Sequence, residues 1–201
     1  MSNSLDIRKL CDRLLDVISH EIVPKTRVGV SAGNKLFGAA ILRKSDVSVV
    51  VVGTNDEIRN PLLHGEISTL NALFDLPSFD RPKTEDCLFL STHEPCSLCL
   101  SAITWSGFNN FYYLFGYEKT RDAFNIPHDL KILEEVFKIP NGVYARDNAF
   151  WSSHHIVAMV SEVKGKSADV LNKKIDQIAQ DYDVLSQSYQ NIKNDSEIPL
   201  N

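Results

Sequence analysis

The chain has 201 residues, of which 43% are hydrophobic and 23% charged, and its formal net charge is −5. This composition is typical of a soluble globular protein and excludes the fibrous and intrinsically disordered classes. No stretch approaches the roughly 20 apolar residues that span a bilayer. Residues 1–7 lack the apolar core of a secretory signal. We therefore expect a cytoplasmic protein, with the nucleus as an open alternative.

The basic residues are dispersed along the chain, with no cluster larger than short pairs such as Arg43-Lys44. A protein that grips a polyphosphate backbone usually carries a basic face or stripe. The acidic balance therefore favours a small-molecule partner over nucleic acid, and no membrane partner is expected.

The spacing of apolar residues predicts ten elements before residue 165. In chain order these are a helix over 5–23 ended by Pro24, strands over 35–43 and 47–53 joined by a turn at 44–46, a helix over 62–76, a strand over 87–92, a helix over 95–105, a strand over 108–115, short helices near 118–124 and 129–137, and a last strand within 156–163. This order predicts an α/β fold, in which helices cover a sheet.

The last part of the chain is more polar. Apolar residues at helical spacing between Val170 and Tyr189 predict one further helix. We divide the chain into a domain over 1–160 and a C-terminal helical extension over 161–201. The helix is interpreted as packing on the domain, with a contact between subunits as the alternative.

Two short motifs carry the chemistry, His64-Gly65-Glu66 and Pro95-Cys96-Ser97-Leu98-Cys99. A Cys-x-x-Cys pair in a cytosolic chain indicates metal or redox chemistry. One imidazole and two thiolates fill three of the four positions around a tetrahedral zinc ion, and catalytic zinc sites leave the fourth position to water. We therefore expect one zinc ion per chain, held by His64, Cys96 and Cys99. A closed structural site would need a fourth cysteine or histidine.

This arrangement leaves the side chain of Glu66 free. Zinc lowers the pKa of bound water from about 15.7 to about 7, and a carboxylate beside it can accept that proton. We predict that Glu66 is the catalytic residue. The structural alternative is an acidic residue in the first turn of a helix, stabilised by the helix dipole.

Together, His-x-Glu and Pro-Cys-x-x-Cys resemble the signature of the cytidine deaminase-like superfamily of zinc hydrolases. The resemblance covers about residues 36–124 and identifies 1–160 as a zinc-dependent deaminase domain. Residues 64–70 are similar to fungal-type cytosine deaminases, and residues 94–105 are similar to bacterial guanine deaminases. The resemblance implies a three-layer α/β/α fold with a mixed five-stranded sheet between helices, and a homodimer or higher homo-oligomer.

The resemblance also implies substrate-binding residues. Asn55, in Gly53-Thr54-Asn55, is expected to touch the base, or else to cap a turn. Phe37 and Trp105 are expected to stack on the base, with core packing as the alternative. Asp122 lies in the region where guanine-type enzymes place an acid near the amine. His93 directly precedes Glu94-Pro95-Cys96, at a position where the family often has a small residue or a cysteine.

The resemblance implies a zinc-dependent hydrolase of cyclic amidine C–N bonds that deaminates a free nucleobase, guanine or cytosine, and releases ammonia. One alternative is a deaminase of a nucleoside, a nucleotide, tRNA adenosine or a related heterocycle. Another is a non-catalytic zinc-binding partner subunit. The presence of Glu66 argues against this last alternative, because non-catalytic partners typically lack the glutamate.

Overall fold

The short apolar runs of the chain pair into one mixed sheet. The computed structural model describes residues 6–200, without the side chain of Asp195. Within that range the sheet has five strands, in the spatial order β2-β1-β3-β4-β5. The strands are β1 (Gly38–Arg43), β2 (Val49–Thr54), β3 (Cys87–His93), β4 (Asn110–Phe115) and β5 (Ser152–His155).

The directions of the strands determine which strand ends lie together. β1 is antiparallel to both β2 and β3, whereas β3, β4 and β5 are parallel to one another. Consequently β2 and β3 run in the same direction with β1 between them, and their carboxyl ends reach the same edge of the sheet. The segments that follow β2 and β3 both leave the sheet at this edge.

Helices precede, connect and follow the strands. They are α1 (Ile7–Val17), α2 (Val23–Ser31), α3 (Gly65–Phe74), α4 (Ser97–Trp105), α5 (Tyr117–Asp122), α6 (His128–Glu135), α7 (Ile156–Ser161) and α8 (Lys166–Ile192). The predicted hairpin, the strands over 87–92 and 108–115 and the four helices between 62 and 137 are confirmed, with boundaries that move by at most three residues.

Helices cover both faces of the sheet. On one face, α3 and α4 pack through Leu70, Leu73 and Ile103 against Ile41 and Phe89. On the other face, α1, α2, α7 and α8 form a larger apolar cluster with the opposite side of the same strands. The predicted three-layer α/β/α architecture with a mixed five-stranded sheet is therefore confirmed.

The prediction that Pro24 ends the first helix is wrong. A π-helical turn (Ile18–Ile22) follows α1, and α2 continues directly from it. The π turn shifts the hydrogen-bond register by one residue. Pro24 then lies in the first turn after the shift, where a residue without an N–H is tolerated. Leu5, the predicted start of the helix, lies outside the described residues.

The predicted last strand within 156–163 is also wrong. Those residues form α7, because Ile156 and Val160 are buried four positions apart on one helix face. The fifth strand is the polar segment just before it, parallel to β4. His154 stacks on Tyr112 with 4.6 Å between ring centroids, so ring contacts take the place of the apolar alternation expected of a strand.

The C-terminal helix α8 packs on the domain, which is one of the two interpretations of its apolar stripe. Leu171, Ile178 and Tyr182 are buried in the larger apolar cluster. The ring of Tyr182 meets the rings of His93 and Phe115, with centroids 5.1 and 5.3 Å away. Within the described residues, neither α8 nor any other helix is both long and apolar enough to cross a membrane. The domain boundary at 160 stays a prediction.

We expect Tyr182→Ala to lower the free energy of unfolding by about 3–5 kcal/mol, because it empties a fully buried aromatic position. Val184→Ala, two residues away on the exposed side of α8, is the control and should change it by less than about 0.5 kcal/mol. Urea unfolding of both variants is the measurement. A loss of less than about 1 kcal/mol in Tyr182→Ala would contradict the integral role of α8.

Candidate functional site

Two helix N-termini meet at the edge where β2 and β3 end. His64 directly precedes α3, and Cys96 directly precedes α4. Cys99 lies in the first turn of α4, three residues after Cys96, so both sulfurs face the same direction. A backbone contact brings α3 close to β1: a Cβ atom on Gly65 would lie 2.8 Å from the Cα atom of Gly38. Only glycine permits this approach.

The three predicted ligand atoms form a nearly equilateral triangle. The Sγ atom of Cys96 lies 3.5 Å from Nδ1 of His64 and 3.6 Å from Sγ of Cys99. The remaining side, from Cys99 Sγ to His64 Nδ1, is 3.7 Å. A tetrahedral zinc ion about 2.3 Å from sulfur and about 2.0 Å from nitrogen separates its ligand atoms by about 3.6–3.8 Å.

The triangle therefore fits one zinc ion with a fourth position open. Among the described residues, the group of side chains close enough to share a metal consists of these three. His93, the last residue of β3, is not part of the group, so no closed four-ligand structural site forms among the described residues. Hydrogen bonds from Cys99 and His64 lower the pKa of Cys96 well below its usual value. This supplies the thiolate that zinc requires.

Glu66 lies in the first turn of α3 with its carboxylate beside the triangle. Its Oε2 atom accepts a hydrogen bond from the Cys99 thiol at 3.3 Å, and its Oε1 atom accepts one from Ser91 at 2.9 Å. Burial, followed by the charge of Cys96, raises the pKa of Glu66. A buried carboxyl with a raised pKa, held by one oxygen and free to act with the other, is suited to moving a proton.

A small cavity opens beside the triangle. Its lining residues are Phe37, His64, Glu66, His93, Glu94, Cys96 and Asp129. Phe37, predicted to stack on a base, is thus at the cavity. Asn55 lies just behind it: its Oδ1 atom accepts a hydrogen bond from the Gly65 N–H at 2.7 Å. Direct contact between Asn55 and a base stays a prediction.

The structure does not bring Trp105 or Asp122 to the cavity. Trp105 is 91% exposed at the end of α4. Asp122 is exposed on α5 and forms an ion pair of 2.6 Å with Arg121. The expectations that these residues stack on a base or act beside its amine are therefore not supported by the structure.

Asp129 also lines the cavity, and the sequence reasoning missed it. It lies at the start of α6, seven residues beyond Asp122, and both burial and the charge of Cys96 raise its pKa well above the usual value. The loose similarity in this region gave no signal that distinguished the two aspartates. The only available sign was the helix start after Pro127, which places an acidic residue in a first turn.

His64, Cys96 and Cys99 all lie within a region of the sequence that matches a known protein family. Residues 18–115 match the family described as the cytidine and deoxycytidylate deaminase zinc-binding region. A cytosine deaminase from Candida albicans (strain SC5314 / ATCC MYA-2876) is 38% identical over 81 residues, which are 39% of this chain and 51% of that protein. The family match and this relative support a cytidine deaminase-like superfamily for the chain. It spans about half the length of this curated relative.

Solved structures of superfamily members are similar to the chain. The guanine deaminase of Bacillus subtilis has a TM-score of 0.49 and 23% identity, over 67% of this chain and 80% of that one. The guanine deaminase of Nitrosomonas europaea has a TM-score of 0.46 and 17% identity, over 77% of this chain and 80% of that one.

We expect Cys96→Ala and Cys99→Ala to lose zinc, because each removes one corner of a site that has only three protein ligands. Elemental analysis of the purified protein is the measurement, and the expected zinc content falls from about one per chain towards zero. Cys87→Ala, which removes a buried cysteine of β3 outside the triangle, is the control and should keep its zinc. Full zinc content in either ligand variant would refute the assignment.

His93 closes the cavity on the side of the larger apolar cluster. Its ring lies among those of Phe37, Phe115 and Phe124, with centroids 4.6–5.2 Å away. Its Nδ1 atom is 2.9 Å from the Thr92 hydroxyl, and its Nε2 atom is buried without a hydrogen-bond partner among the described residues. Burial lowers the pKa of His93 from 6.5 to about 3, so the folded protein holds this ring neutral.

We expect His93→Phe to weaken the acid sensitivity of folding. The unfolded chain binds a proton at His93 below pH 6.5, whereas the folded chain does not until about pH 3, so acid favours unfolding in this interval. Between pH 7 and pH 5 the wild type should lose about 2 kcal/mol of unfolding free energy that the variant retains. Urea unfolding at several pH values compares the two. Parallel pH profiles would count against a neutral, buried His93.

Proposed function

We propose that the chain is a zinc-dependent hydrolytic deaminase of a free nucleobase, guanine or cytosine. The reaction exchanges an exocyclic amine for a carbonyl oxygen and releases ammonia. The observation that carries the proposal is the open triangle of His64, Cys96 and Cys99 with the Glu66 carboxylate 3.3 Å from one of its corners. This combination is the arrangement of a hydrolytic zinc site, with three protein ligands, one open position and one carboxylate that is not a ligand.

The protein residues would handle the protons of this reaction. When bound, zinc supplies a water molecule whose pKa is near neutrality. Glu66 accepts a proton from the attacking water and gives it to the ring nitrogen beside the amine-bearing carbon. It then carries the second water proton to the amine, which leaves as ammonia. Ser91 holds the Oε1 atom throughout, so Oε2 is the atom that exchanges protons.

The walls of the cavity support a flat, uncharged substrate. Phe37 offers an aromatic face, and the half-buried Asp129 offers a further carboxyl group to a polar edge such as an exocyclic amine. We propose Asp129, in place of Asp122, as the acid near the amine. Within the described part of the chain, the lining contains no lysine or arginine to pair with a phosphate.

The proposal extends to partners and location. We expect a small-molecule base as the substrate and a homodimer or higher homo-oligomer as the assembly, in the cytoplasm or the nucleus. The alternatives from the sequence, a deaminase of a nucleoside, tRNA adenosine or another heterocycle and a non-catalytic partner subunit, are outcomes of the test below.

We expect the zinc-loaded protein to release ammonia from guanine or cytosine, and Glu66→Gln to lower kcat by at least about 10²-fold, because it removes the proton carrier. The measurement is ammonia release across free bases, nucleosides and nucleotides. Glu85→Gln, which changes an exposed glutamate in the same way, is the control. Activity confined to nucleosides or nucleotides would contradict the free-base proposal. No activity on any substrate, with zinc bound, would favour a partner subunit or an unusual heterocycle.

A further inference from the structure

Two charged side chains are buried behind His64, and the proposed chemistry uses neither of them. Lys35 precedes β1 and Glu57 follows β2, and their side chains are only 9% and 1% exposed. The Lys35 Nζ atom lies 2.9 Å from the Glu57 Oε1 atom. Burying two charges is expensive, and the attraction between them often fails to repay the desolvation of both. Their retention beside a metal ligand therefore calls for a reason other than stability.

The contacts of Glu57 converge on His64. The Oε1 atom that binds Lys35 also lies 3.7 Å from the His64 Nε2 atom. The Oε2 atom accepts a hydrogen bond of 2.7 Å from the Asn55 side-chain amide. Asn55 in turn accepts the N–H of Gly65, the residue next to His64. Glu57 thus faces the His64 ring directly and holds the adjoining backbone through one intermediate side chain.

The two ring nitrogens of His64 face different groups. Nδ1 points to the two cysteine sulfurs, at 3.5 and 3.7 Å, and Nε2 points to Glu57. A neutral imidazole carries one proton, and the ligating nitrogen must be the one without it. A carboxylate at the Nε2 edge favours the proton there and leaves the Nδ1 lone pair free. At 3.7 Å this effect is an electrostatic attraction rather than a direct hydrogen bond.

We propose that Glu57 is a positioning residue for the zinc centre, which orients His64 and selects the tautomer that binds zinc through Nδ1. Lys35 supplies the counter-charge that allows the Glu57 carboxylate to remain buried, and Asn55 links the carboxylate to the backbone of α3. The inference rests on the zinc centre and is independent of which base, if any, is deaminated.

A purely structural role for Glu57 makes a different prediction. If the Lys35–Glu57 pair only ties the segment before β1 to the segment after β2, its loss changes the stability of the zinc-free protein and leaves zinc affinity unchanged. Zinc affinity and zinc-free stability, measured separately, distinguish the two roles.

The test uses the whole chain and measures zinc affinity by competition with a chromophoric chelator. We expect Glu57→Gln to weaken zinc binding by about 10–100-fold, as loss of a carboxylate behind a histidine ligand does in other zinc sites. Asp16→Asn is the control. The Asp16 carboxylate also pairs with a lysine, 2.6 Å from the Nζ atom of Lys174, but it lies on α1, outside the residues that line the cavity. It should leave zinc affinity close to that of the wild type.

Two further measurements complete the test. The absorption spectrum of the cobalt(II)-substituted protein reports ligand geometry, and it should shift in Glu57→Gln and not in Asp16→Asn. Urea unfolding in excess chelator gives the stability of each zinc-free protein. If Glu57→Gln does not fold, Glu57→Asp replaces it: withdrawal of the carboxylate from Nε2 should still weaken zinc binding.

The outcomes separate this inference from the proposed function. Wild-type zinc affinity in the folded Glu57 variant, or an equal loss in Asp16→Asn, would overturn the role of Glu57. A failure of the wild-type protein to deaminate any base would overturn the proposed function and leave the zinc measurements unaffected.

Discussion

The close approach of α3 to β1 is the constraint on which the rest of the site depends. His64 and the two cysteines come from helices that follow β2 and β3, and β1 lies between those two strands. For the ligands to meet, the start of α3 has to lie directly on the beginning of β1. Gly65 permits this, because any Cβ atom there would collide with the backbone of Phe37 and Gly38. The spacing of His64 and Glu66 around this glycine then places one side chain on the triangle and the other beside it.

The site buries several ionisable groups, which lowers the folding stability, and the surrounding apolar core has to compensate for that loss. Glu66 and Asp129 both have raised pKa values because they are removed from water beside the Cys96 sulfur. Such groups favour chemistry at the expense of folding stability. The apolar cluster beneath the other face of the sheet, which includes Tyr182 from α8, supplies the rigid support. The C-terminal helix thus takes part in the fold that holds the site, although it contributes none of the residues that line the cavity beside the triangle.

The sequence predicted much of this architecture and failed where tertiary contacts override local pattern. The helices after Pro61 and Pro95 were predictable because apolar residues recur at helical spacing after each proline, although both prolines lie outside the helices that follow. The helix through Pro24 was missed because a π turn before the proline shifts the hydrogen-bond register so that the proline is tolerated. No residue type predicts such a turn. The polar strand β5 was missed because its stabilisation comes from stacking of His154 and His155 on tyrosines of β4. Asp122 was expected near the site because the resemblance indicates a region rather than a residue, and the aspartate that lines the cavity is Asp129, seven residues later.

By itself, the sequence determined the donor set. The spacing of His64, Glu66, Cys96 and Cys99 identifies zinc chemistry because few arrangements of these side chains serve another purpose. Only the tertiary structure decided which groups surround the donors. It put Asp129 and His93 at the cavity, left Trp105 in solvent, and set Glu57 and Lys35 behind His64. The physical reason is that the spacing within each motif is local and set within one turn of helix, whereas pocket walls and buried ion pairs depend on how distant segments pack.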